Sequence, residues 1–244
     1  LSNPHSRALI IAPTRELADQ ICKEARKLSS DVRIFYLNKS LFNSWKAEKP
    51  TKLPDIIVCT PMRLLQACEE NILSMEQVKF LILDEVDRLL DDCFLEQMGK
   101  LIKLCQNGKS VQKVIFSATI PTGIEDLARM FLLDPVRVTV GRLSSVISHR
   151  IEQSLVYVGR EDGKIMALKQ MITNGIQPPA IIFCNVIERC NELYECLKSF
   201  SIPVEMIHSS RSQAQREETI RAFRAGTVWI LITTDLLARG LDFP

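Results

Sequence analysis

The sequence predicts an α/β protein built on parallel sheets and divided into two lobes. Short apolar runs of strand length alternate with longer segments of helical period, the pattern of repeated βα units. Runs such as Phe80-Leu81-Ile82-Leu83 are apolar at every position, as a strand covered by helices on both faces requires. The alternation breaks once, at Gly-Arg-Leu-Ser-Ser-Val-Ile-Ser-His-Arg (141–150), which supplies no obvious element and marks a boundary.

In chain order, strands are expected at Ala8–Ala12, Val32–Leu37, Asp55–Cys59, Phe80–Leu83, Val114–Phe116 and Val136–Val140. A second series is expected at Gln153–Val158, Ala180–Cys184, Val204–Ile207 and Val228–Ile232. Helical period places helices at Arg15–Leu28, Met62–Glu70 and Ile124–Phe131, then at Gly163–Ile172, Val186–Phe200 and Ser212–Ala225. The lobes are therefore 1–141 and 152–244, joined by a linker at 142–151.

With 244 residues, 46% of them hydrophobic, the chain can bury one large core or two modest ones, and its composition is that of a soluble globular protein. A net charge of +2 does not select a partner, because a basic stripe is hidden in a global sum. No apolar run approaches the roughly 18 residues of a membrane helix, and the start lacks the pattern of a secretory signal. The eight cysteines (22, 59, 68, 93, 105, 184, 190, 196) form no C-x-x-C pair and lie mostly in apolar patterns. They read as reduced core thiols of a cytosolic or nuclear protein. His5, His149 and His208 are scattered, so no metal cluster of protein ligands is expected.

The chemistry concentrates where buried strands end. Asp84-Glu85-Val86-Asp87 follows Phe80–Leu83 directly, and ligands of open α/β sheets bind at that carboxyl edge. There Asp84 can hold Mg²⁺ through water, the metal offsetting triphosphate charge, while Glu85 orients an attacking water. Alone, such a run is more often a solvated acidic cap. A neighbouring apolar run, Lys113–Phe116, ends in Ser117-Ala118-Thr119, whose two hydroxyls are placed to bond Asp87 and relay the state of the site. By itself that triplet reads equally as a helix cap.

Taken together, the runs resemble the DEAD-box branch of superfamily-two helicases. Pro13-Thr14-Arg15-Glu16-Leu17-Ala18 resembles motif Ia, Thr60-Pro61-Met62-Arg63 motif Ib, Asp84–Asp87 motif II and Ser117–Thr119 motif III. Ile181–Cys184 is loosely similar to motif IV, Gln213 to Arg216 to the Q-x-x-R element, and Thr234–Asp242 to motif V. The order is the family's and spans nearly the whole chain. The resemblance implies two RecA-like parallel-sheet lobes, both incomplete, and an RNA-stimulated ATPase that uses ATP and Mg²⁺ to open short RNA duplexes. It makes Asp84, Glu85, Asp87, Ser117 and Thr119 the catalytic set, Asp242 a ribose contact and Arg239 a coupling residue at the nucleotide. Val86 stands where the family has alanine and is expected to alter packing slightly without touching the chemistry. Met62 replaces a motif Ib glycine, and the family's double-glycine element is not recognisable in Leu37–Trp45.

Thr14 and Arg15, like Thr60 and Arg63, begin helices just past apolar strands, where free N–H groups and the positive dipole end suit phosphate oxygens. Thr-Pro is also an ordinary helix start. By resemblance these four, with Gln213, Arg216 and Thr234, grip an RNA backbone without reading bases, which implies sequence-independent, salt-sensitive binding. Gln213 and Arg216 read equally as exposed helix residues.

The sequence contains no G-x-x-x-x-G-K-[ST] phosphate loop; Gly159-Arg160-Glu161-Asp162-Gly163-Lys164 is one residue short and reads as a turn opening a helix. In the family that loop precedes motif Ia, and an arginine-rich motif VI follows motif V. With neither in these 244 residues, the chain by itself is expected to be inactive. A truncated, non-enzymatic RNA- or protein-binding form is the alternative. A dinucleotide enzyme would require G-x-G-x-x-G, which is missing. Glu152–Gly159 with Gly163–Leu168 resembles the branch acting in small-ribosomal-subunit assembly. That implies ribosomal RNA processing and residence in the nucleus, in the nucleolus above all, with the cytoplasm open. RNA is the implied partner, with stimulating proteins as further candidates, and the expected state is a monomer away from membranes.

Overall fold

The computed structural model describes residues 7–75, 78–90, 92–105, 111–119, 122–140, 151–200 and 202–234. The chain divides into two compact units, Leu1–Ser148 and His149–Pro244. In the first, the order is β1 (Ala8–Ile11), α1 (Arg15–Leu28), β2 (Ile34–Tyr36), α2 (Lys39–Ala47), β3 (Ile56–Cys59), α3 (Pro61–Glu69) and β4 (Phe80–Leu83). It continues with α4 (Val86–Leu89), α5 (Asp92–Cys105), β5 (Gln112–Ile115) and α6 (Thr122–Phe131). The strands form one parallel sheet in the order β2-β3-β1-β4-β5. Ile11 aligns with both Cys59 and Leu83, and Leu83 with Ile115, so four strands end flush along one edge.

Helices cover both faces. Leu17, Ala18 and Cys22 of α1 pack with Ile34 and Val58 on one side. On the other, Leu9, Ile11, Ile57, Cys59, Leu81 and Leu83 meet Trp45, Leu64, Met98 and Leu127 from α2, α3, α5 and α6. Burial on two sides is what the unbroken apolar runs demand. α2 and α5 were not among the expected helices. α2 has a legible start: Asn38 Oδ1 accepts the Leu41 N–H at 2.8 Å, and Phe42 and Trp45 bury its inner face.

The second unit comprises α7 (Glu161–Thr173), β6 (Ala180–Cys184), α8 (Ile187–Lys198), β7 (Val204–Ile207), α9 (Gln213–Arg224) and β8 (Ile230–Thr234). Its parallel sheet runs β6-β8-β7, with the central β8 buried throughout. α9 opens on a capping box in which Ser212 and Gln215 each bond the other's backbone N–H.

Two expected strands are corrected. Val136–Val140 and Gln153–Val158 form no regular element and pair with no strand among the described residues, and Val140, Leu155 and Tyr157 stand at 95% exposure or more. Their β-branched and aromatic content favours extended backbone, but a strand needs a neighbour to bond. The segment at Gly159–Lys164 is a turn into α7, as expected. Gly159 takes a left-handed φ of 67°, and a Cβ on Gly163 would lie 2.0 Å from the Val158 carbonyl oxygen. Gly163→Ala should therefore cost about 1–3 kcal/mol of stability, read by urea unfolding. A neutral change would show that the turn rearranges freely.

Candidate functional site

The flush edge of the first sheet collects the expected site. Leu83 ends β4, Asp84 N donates to Ile11 O at 2.9 Å, and Phe116 N donates to Leu83 O at 2.8 Å. The loop then reverses sharply: Glu85 sits in the left-handed region (φ 47°, ψ 52°), its N–H bonded to Asp84 Oδ1 at 2.9 Å. Val86 N donates to Phe116 O at 3.0 Å, tying the acidic loop to the end of β5. Thr119 Oγ1 donates to Asp87 Oδ2 at 2.8 Å, the bond expected between the two strand ends. The second hydroxyl does something else. Ser117 Oγ donates to the Thr119 carbonyl, closing the turn that aims Thr119.

Asp84 has its carboxyl pushed above the usual carboxylate range, chiefly by burial and further by the Asp87 charge, with the Glu85 N–H opposing. Among the described residues no group of three or more His, Cys, Asp or Glu is placed to hold a metal ion. A half-buried carboxylate beside a second one suits Mg²⁺, which takes one or two protein carboxylates and completes its shell with water and phosphate. A raised folded pKa penalises the ionised form above that pKa, and the penalty disappears below the unfolded value. Asp84→Asn should therefore stabilise the fold at pH 7, and the gain should shrink as pH falls into the carboxylate range. Denaturation midpoints across pH 3–7 measure it; a gain that grew on acidification would contradict the sign.

The other expected residues of this unit lie along the same edge. Thr14 caps α1, accepting the Leu17 N–H at 3.2 Å, with Arg15 exposed beside it. Thr60 precedes Pro61 at the start of α3 and makes no side-chain cap bond. Arg63 is already engaged, donating to Gln66 Oε1 at 2.9 Å and lying 4.7 Å above the Phe42 ring. Because β3 and β1 neighbour each other and β4 neighbours β5, the threonines flank one half of the edge and the acidic loop the other. Arg63 held on Phe42 was not foreseen, since the contact depends on α2.

In the second unit Thr234 ends β8 and is buried. Gln213 opens α9 and accepts from Arg216 Nη2 at 2.6 Å. Arg216 is 8% exposed, which corrects its reading as an exposed helix residue: its inward-facing position in α9 buries the stem. Arg239 and Asp242 lie outside the described residues.

Residues 1–127 match the family model described as DEAD/DEAH box helicase, and residues 163–244 match the helicase conserved C-terminal domain. The chain belongs to the DEAD/DEAH box helicase family. Among curated proteins it is 41% identical to the probable ATP-dependent RNA helicase ddx52 of Dictyostelium discoideum, covering 97% of this chain and 36% of that protein. It is 40% identical to the ATP-dependent RNA helicase ROK1 of Saccharomyces cerevisiae, covering 97% of this chain and 43% of that protein. The chain thus spans less than half the length of these relatives. Among solved structures, S. cerevisiae Dbp5 bound to RNA and ADP BeF3 superposes with a TM-score of 0.85 at 25% identity, covering 99% of this chain and 62% of that one. Mss116p bound to ssRNA and AMP-PNP gives 0.80 at 27%, covering 98% and 52%. The fold is therefore that of the RecA-like domains of DEAD-box helicases.

Val86 turns inward from the acidic run. It is fully buried beneath the acidic loop, among Leu83, Leu89 and their neighbours. Restoring the family's alanine should cost about 2 kcal/mol, from about 0.8 kcal/mol per buried carbon group plus the cavity left behind. Chemical denaturation of Val86→Ala measures it; an unchanged midpoint would show that the loop collapses into the space.

Proposed function

We propose that this chain carries part of an ATP-dependent RNA helicase, an RNA-stimulated ATPase that opens short duplexes. The observation that supports the reading most is the Thr119–Asp87 bond, which joins the acidic end of β4 to the end of β5. Asp84 would hold Mg²⁺ and Glu85 would orient the attacking water; the metal, bound with ATP, would supply charge neutralisation at the phosphates. Thr14, Arg15, Thr60 and Arg63 are the backbone contacts of the first unit; in the second the exposed Gln213 takes that role, with the buried Arg216 holding it through Nη2 and Thr234 buried at the strand end, while Arg239 and Asp242 serve the nucleotide. The resemblance of 152–168 to a small-subunit assembly branch points to ribosomal RNA as the substrate and the nucleolus as the place of work.

Strand displacement tests the reading. The longest natural form of the protein should release the short strand of an RNA duplex only with ATP and Mg²⁺; equal release without ATP would remove the helicase assignment. Binding by the 244-residue polypeptide should be weak and the same across RNA sequences. With about two phosphate-facing arginines, Arg15 and Arg63, affinity should fall roughly two- to threefold for each doubling of salt. Tight, sequence-selective retention of DNA in a filter assay would contradict backbone recognition.

A further inference from the structure

Arg88, on α4, is a guanidinium at 6% exposure directly beneath the acidic loop. Its Nη1 donates to Glu85 Oε2 at 3.3 Å, and the carboxylate it meets is itself largely covered. Glu85 needs such help. Its left-handed backbone is unfavourable for a residue with a Cβ and persists only where the surroundings fix it. Asp84 Oδ1 and the Arg88 and Leu89 N–H groups hold its backbone. Among the described residues, the bond that reaches its carboxylate comes from Arg88.

We propose that Arg88 is a positioning residue for ATP hydrolysis: it fixes one oxygen of the Glu85 carboxylate and leaves the other to accept a hydrogen from the attacking water. The inference rests on the helicase reading above. A charged donor suits the task because it cannot lose its proton, so the Nη1 bond to Oε2 persists at every working pH. Being buried behind Glu85, Arg88 acts through that residue without touching the nucleotide. An arginine of purely structural value would contribute to stability and leave the rate of the folded protein alone.

Kinetics of the longest natural form, with thermal unfolding as a check on folding, separate the two. Arg88→Met should lower kcat about 10–100-fold while KM for ATP stays within about twofold, the size expected for a reacting group displaced by a fraction of an ångström to an ångström. Arg88→Lys should recover part of the loss. In a Glu85→Gln background, adding Arg88→Met should change kcat by less than about twofold, because the group it positions is already disabled. Wild-type kcat in folded Arg88→Met, or an equal further loss in the Glu85→Gln background, overturns the proposal. If Arg88→Met does not fold, Arg88→Lys decides: a lowered kcat at constant KM supports the role, and a wild-type kcat removes it. A wild-type protein without RNA-stimulated hydrolysis sinks the helicase reading and this inference together, whereas normal hydrolysis with indifferent Arg88 variants sinks this inference alone.

Discussion

Glu85→Gln in the longest natural form of the protein is expected to slow ATP hydrolysis by ~10²–10⁴-fold, the range for losing a positioned general base, with ATP binding nearly intact. The expectation follows from where the chain places this carboxylate. Glu85 begins the turn after β4 in a left-handed conformation that the neighbouring bonds maintain, and such strain is characteristic of sites that must aim one group. Glutamine keeps the shape and the Arg88 contact on its carbonyl oxygen but cannot take a proton from water. Steady-state phosphate release and equilibrium binding of a fluorescent nucleotide separate the two effects. Equal loss of binding and turnover would assign Glu85 to holding the nucleotide.

The second large effect concerns the 244 residues on their own. Purified as such, they should release phosphate at a rate indistinguishable from the buffer blank, even with saturating RNA. Phosphoryl transfer is accelerated almost entirely by positioning and charge stabilisation. A phosphate loop supplies the cradle, and arginines acting across the nucleotide are worth about 10³–10⁵ in rate. The 244 residues contain no G-x-x-x-x-G-K-[ST] segment, and the one near-match, Gly159–Lys164, is a helix-opening turn. Under the proposed roles, Asp84 and Glu85 alone would leave a metal and a water without a held substrate. RNA-stimulated release at the rate of the longest natural form would show that another segment cradles the phosphates.

Much of this architecture was legible in the residues. β4 and β6 fall where the expected strands stood, because both are apolar throughout and end at abrupt chemical changes, Asp84 after β4 and Asn185 after β6. The helix start at Arg15 was expected, and Thr14 bonds a free N–H there; the last helix was expected from Ser212, which instead caps it one residue before Gln213. Val136–Val140 misled because its alternating valines signal extension, whereas a strand is a property of two segments. α2 and α5 escaped because Lys39–Ala47 and Asp92–Cys105 bury residues at helical spacing within mixed polar surroundings.

The site was legible in identity more than in wiring. Spacing placed acids and hydroxyls at adjacent strand ends, and the flush register of β4 and β5 brings them together. Which hydroxyl meets Asp87 depends on the turn after Phe116, where Ser117 closes the backbone and Thr119 makes the contact. The Arg88–Glu85 pair follows from a left-handed residue that no propensity foretells.

The most direct test replaces Thr119 with valine in the longest natural form and measures phosphate release with and without single-stranded RNA. Valine preserves size and removes the donor to Asp87, so the account predicts that stimulation by RNA largely disappears while RNA-free hydrolysis persists. Stimulation at the wild-type ratio would contradict the claim that the ends of β4 and β5 act as one nucleotide-sensing unit.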